Sequence, residues 1–78
     1  MMYLNELKVG ESAKIINLSH VQEFIKKRLN HLGISENAEI CLRNKLPFGG
    51  PCMIDCHGQC VSLRKNDANC IQVELVCK

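Results

Sequence analysis

This sequence predicts a mostly β fold, a small barrel of about five short strands with one α-helix between the first and second, and three observations carry that expectation. The chain of 78 residues has room for a single domain spanning all of it, because a chain this short buries only roughly 60% of its unfolded surface. One stretch, from Val21 to Leu32, shows the apolar period of an amphipathic helix. The remainder alternates apolar and polar residues with a period of two, cut into short runs by turn residues.

The first strand is expected over Ala13 to Leu18, apolar but irregular enough to suggest a bulge. In the helix, Val21, Phe24, Ile25, Leu29 and Leu32 recur at the spacing of one buried face. Ser19 with Gln22 reads as a capping box at its start, and Gly33 followed by Ile34 reads as a Schellman stop closing on Leu29. In the next strand Ala38, Ile40 and Leu42 face inward, opposite Glu39, Cys41 and Arg43. LPFGGP, Leu46 to Pro51, carries two prolines and two glycines and predicts a loop. From Cys52 to His57, Cys52, Ile54 and Cys56 share the inner face. Gly58 and Gln59 suit a two-residue type II′ turn, since glycine stands at its first central position. Val61 and Leu63 continue the inner face, RKND reads as a polar turn, and Ile71, Val73 and Leu75 form the inner face of the last strand.

Composition excludes several function classes. With 46% hydrophobic and 23% charged residues, the chain has the make-up of a folded domain. Ten basic against eight acidic residues give a net charge of +2, too little for a nucleic-acid or membrane-surface partner, which would require a clustered basic stripe. Lys26, Lys27 and Arg28 form the sole basic run and read as a solvated helix face. No stretch of apolar residues is long enough to span a bilayer, so direct membrane insertion is not expected. MMYLNELKVGE has no basic region followed by an apolar run, so no signal peptide is expected. Together these features predict a cytoplasmic protein whose six cysteines are reduced and behave as small hydrophobes. No nucleophile has a recognisable base and orienting group, no carboxylates pair, and no phosphate-binding glycine loop occurs, so no enzyme is expected. His20 and His31 read as surface histidines at the helix ends.

The run PCMIDCHGQC is the one motif that suggests metal. On a strand, however, thiols four residues apart are separated by about 13 Å, whereas two sulfurs on one zinc, each about 2.3 Å from the ion, lie under about 5 Å apart. Cys52 and Cys56 therefore cannot share an ion. If Gly58 and Gln59 form the turn, His57 and Cys60 face each other across the hairpin with β-carbons about 4.5 to 5.5 Å apart. An imidazole and a thiol so placed suit one weakly held ferrous or zinc ion.

The order of features in the chain resembles the FeoA family of bacterial ferrous iron transport over nearly its whole length. The resemblance rests on RLNHLGI with Arg28, Leu29, Leu32 and Gly33, on the loop Leu46 to Pro51, and on SLRKNDA with Ser62, Leu63, Arg64 and Ala68. It implies an SH3-like barrel acting as a non-enzymatic cytosolic accessory to a FeoB-type membrane transporter, by contact with that transporter's cytoplasmic GTPase domain. The cysteine triplet departs from the family pattern, in which aliphatic or polar residues are usual at Cys52, Cys56 and Cys60. Contact with a partner is expected at Leu46, Pro47 and Phe48 of the rigid loop, and at Arg64. Phe48 is either such an anchor or a lid folded back on the barrel end. Two alternatives stand beside this reading: a metal-binding or metal-sensing module at His57 and Cys60, and a corepressor-type domain like the SH3-like domains of iron-dependent repressors. The chain has no helix-turn-helix with which to read DNA by itself. Exposed edge strands leave homo-oligomer formation open.

Overall fold

A computed structural model describes residues 2–76. Among these residues six strands form one antiparallel sheet: β1 (Met2–Tyr3), β2 (Ser12–Asn17), β3 (Glu39–Lys45), β4 (Cys52–Cys56), β5 (Gln59–Leu63) and β6 (Gln72–Leu75), in the spatial order β1-β6-β2-β3-β4-β5. A 3-10 turn at Leu4–Glu6 follows β1, helix α1 (Glu23–His31) joins β2 to β3, and the short helix α2 (Lys65–Ala68) joins β5 to β6. A flat six-stranded sheet would be a slab about 10 Å thick per layer. The extents of 30 × 26 × 26 Å are nearly equal instead, so the sheet curls around its core and α1 closes one side.

The predicted faces explain that core. Ile40, Leu42, Cys52, Ile54, Cys56, Val61, Leu63, Ile71 and Val73 are all buried on the inner face, as the period-two reading requires. Two bulges let the sheet curl: the register shifts between Ile15 and Asn17 where β2 meets β6, and between Leu42 and Asn44 where β3 meets β4. Helix α1 stops as predicted. Gly33 takes φ +80, its N–H bonds the Asn30 carbonyl at 3.0 Å, and the Ile34 N–H bonds that of Leu29 at 2.8 Å, the paired bonds of a Schellman stop.

Several expectations need correction. The helix starts at Glu23, with Gln22 at the cap and no side-chain cap bond. Ser19 instead donates its backbone N–H to the Asn17 side chain at 2.8 Å, which spends that residue on a turn rather than on a capping box. Phe24 is 67% exposed. Successive helix residues point about 100° apart, so with Ile25 and Leu29 aimed at the core Phe24 swings to the flank. RKND is not a simple turn, because Lys65–Ala68 winds into a helical turn that buries Ala68. Leu75 keeps the inner phase opposite Ala13 yet is 42% exposed, lying past the end of the core. Cys77, which by alternation continues the inner phase beyond Leu75, lies outside the described residues.

Candidate functional site

The loop Leu46–Pro51 owes its shape to a tight turn that its glycines permit. The Gly50 N–H bonds the Pro47 carbonyl at 3.2 Å, and the Leu46 N–H bonds the Pro51 carbonyl at 3.1 Å. The two central residues, Phe48 at φ +60 and Gly49 at φ +76, are both left-handed. That is easy for glycine and strained for phenylalanine, by about 1–2 kcal/mol. Gly50 is needed for space, since a Cβ there would stand 2.8 Å from Leu46 Cβ. The turn throws the Phe48 ring into solvent, where it is 103% exposed, and Leu46 is 43% exposed beside it. Phe48 is therefore not a lid on the barrel end.

Leu46, Pro47 and Phe48 line one open cleft of about 410 Å³ with Asn5, Lys45 and Lys65. The Lys45 ammonium donates to the backbone carbonyl of Asn5 and, at 3.5 Å, to that of Leu7, which ties the base of the loop to the 3-10 turn. Arg64 stands just before α2 and lines the adjoining cleft of about 520 Å³ with Gly49, Pro51, Ser62 and Lys65. The four residues singled out for partner contact thus lie on one side of the molecule. Lys45 and Lys65 add two cations that no sequence pattern singles out, because they belong to different elements joined only by the fold.

His57 and Cys60 do not face each other. The hairpin turn is His57–Gly58, with φ +52 and +80, and the ladder pairs Cys56 with Gln59, Asp55 with Cys60 and Ile54 with Val61. Glycine falls at the second central position, so the turn is of the I′ kind, with both central residues left-handed. Moving the turn centre back by one residue shifts the pairing by two, which leaves every face unchanged and separates the expected pair. On the outer face Cys41, Asp55 and Cys60 stand in a row across β3, β4 and β5. Strands are about 4.8 Å apart, so the two thiols lie two strand spacings from each other. Asp55 is engaged by the Arg43 guanidinium. Among the described residues no group of three or more His, Cys, Asp or Glu side chains converges to hold a metal ion.

Cys41, Cys52, Cys56, Cys60 and Cys70 are free thiols among the described residues. Cys52 and Cys56 are buried in the core, and burial pushes the Cys56 thiol above its ordinary pKa. Cys60 is exposed, and Cys70 packs partly against the core from the turn after α2. None of the described helices is long and apolar enough to cross a membrane.

Comparison with known proteins matches residues 2–75 to the FeoA domain model. The chain belongs to the FeoA family. A Campylobacter jejuni protein named Fe(2+) transport protein A is 35% identical over 75 residues, which cover 96% of this chain and all of that one. The solution structure of FeoA from Chlorobium tepidum superposes with a TM-score of 0.90 at 29% identity, covering 97% of this chain and 71% of that one. FeoA from Stenotrophomonas maltophilia, solved with zinc and described as a procaryotic SH3 domain protein, gives a TM-score of 0.75 at 27% identity over 95% of this chain and 91% of that one. The chain therefore has the small barrel that its periodicity predicted, of the SH3-like kind that the family resemblance implied. A manganese-dependent transcriptional repressor shares the fold over 96% of this chain, with a TM-score of 0.84 at 17% identity.

Proposed function

We propose that this FeoA protein is a non-enzymatic cytoplasmic accessory of ferrous iron uptake that works by touching a FeoB-type transporter through that transporter's GTPase portion. Family membership over residues 2–75 implies a role in ferrous iron transport, and the named relative points the same way. The observation that carries the contact reading is Phe48. An aromatic ring held at a strained positive φ, fully in solvent on a bonded turn, contributes nothing to the core and is presented at low entropic cost to a partner. Leu46 and Pro47 widen the apolar patch, while Lys45, Lys65 and Arg64 frame it with positive charge. Such a centre with a charged rim fits a protein contact better than a small-molecule pocket.

The test is co-purification with the full-length transporter, with the transporter's nucleotide turnover followed in parallel. Wild-type protein is expected to be retained and to change the turnover, and Phe48→Ala to weaken both. Retention of Phe48→Ala equal to wild type would remove the loop from the contact, and no retention of either protein would end the proposal. The second reading, a metal-binding module at His57 and Cys60, gains no support from a register that places Asp55 rather than His57 opposite Cys60.

A further inference from the structure

We propose that the open edge of β5, with the groove between it and α1, is a second docking site that takes an acidic, extended segment of a partner protein as an added strand. This site does not rest on the transporter reading: it shares Arg64 with the rim of the loop patch, but the loop itself plays no part in it. Among the described residues strand β5 ends the sheet and pairs with β4 alone. A two-residue hairpin closed by the Cys56–Gln59 pair fixes which peptide groups point each way. Gln59, Val61 and Leu63 bond β4, so the N–H and C=O of Cys60 and Ser62 face outward.

Natural edges are shielded by lysine, proline, bulges or brevity. The other edge, β1, is two residues long. By contrast β5 runs Gln-Cys-Val-Ser-Leu, without charge or proline, and its ladder to β4 has no register shift. It is a regular template five residues long, with α1 across a groove from it rather than bonded to it.

The neighbouring groove selects the occupant. Cys60 and Ser62 form one wall, and Phe24, Lys27, Arg28 and Leu32 the other, around a volume of about 640 Å³. Arg28 and Arg64 also line its continuation toward α2, where Asp67 is the one carboxylate among the described residues. Lys27, Arg28 and Arg64 have no ion-pair partner among the described residues. Three unpaired cations against one carboxylate favour an acidic segment, and exposed Phe24 offers it an apolar seat. A second copy pairing edge to edge would bring the same cations together, which disfavours it.

The test uses isotope-labelled protein and a short capped peptide alternating threonine and glutamate, with lysine in place of glutamate as the control. Hydrogen exchange at Cys60 and Ser62 is expected to slow by about tenfold with the acidic peptide, while Val61 and Leu63, already bonded to β4, stay unchanged. Arg28→Glu is expected to weaken binding roughly tenfold. Ser62→Pro removes an outward donor and should abolish the added protection; should that variant not fold, the alternating exchange pattern and Arg28→Glu decide. Equal binding of the lysine peptide, or protection without the alternation, would overturn the proposal. Protection of Cys60 and Ser62 in the free protein that is lost on dilution would assign the edge to a second copy and overturn it as well.

Discussion

At the scale of single residues, burial divides the cysteines into two chemical kinds. Cys60 is exposed, so a thiol reagent under native conditions is expected to label it long before Cys52 or Cys56, which must wait for the core to open. Mass spectrometry of a time course reads this directly, and simultaneous labelling of all three would contradict the packing. Cys56→Ser places a hydroxyl where the thiol packs in the core, and should cost about 1–3 kcal/mol in a urea melt, against under about 0.5 kcal/mol for Cys60→Ser. The raised pKa of Cys56 has a pH consequence. The folded protein keeps this proton when the unfolded chain, near the ordinary value of about 8.5, has begun to lose it. Stability is therefore intact below that value and falls as pH rises toward the folded one, and Cys56→Ala should flatten that alkaline part of the curve.

At the scale of elements, the hairpin gives the sharpest test of the corrected register. His57 is held at φ +52 before Gly58 at φ +80, so His57→Asn creates the Asn-Gly pair that type I′ turns prefer and should raise stability by about 0.5 kcal/mol in denaturant unfolding. A turn centred on Gly58–Gln59 would leave that substitution without benefit. The same hairpin shows what the sequence made legible and what it did not. Faces were legible, because alternation survives a two-residue shift; the pairing partner was not, because glycine suits the first place of a II′ turn and the second of an I′ turn equally well. Only the wrong choice brought His57 to Cys60. Helix α1 divides similarly. Its end was legible from Gly33 and Ile34, whose roles need no partner, whereas the position of Phe24 depended on which side of the apolar stripe the sheet would cover. Leu29, buried beneath that stripe and bonded through its carbonyl to Ile34, should cost about 2–5 kcal/mol when changed to Ala.

At the scale of the whole molecule, the curl of the sheet sets what lies inside and what is left outside. The curled sheet spends its inner face on one core, and strain, exposed apolar area and unpaired charge collect outside it, at the Leu46–Pro51 loop and along β5. That loop was legible as a loop from its prolines and glycines, and the family resemblance was legible in short motifs spread along the chain. Which way Phe48 pointed was not, since a loop aromatic caps a core as readily as it anchors a partner until the turn is closed. The central claim is that Phe48 contacts the transporter while leaving the domain itself unaffected. Its most direct measurement is calorimetric titration of wild-type and Phe48→Ala protein into the full-length transporter, with thermal melts of both proteins alongside. Equal melting temperatures with at least roughly tenfold weaker binding by the variant, the loss usual for an interface anchor, are the expected result. Equal affinities for the two proteins would contradict the account.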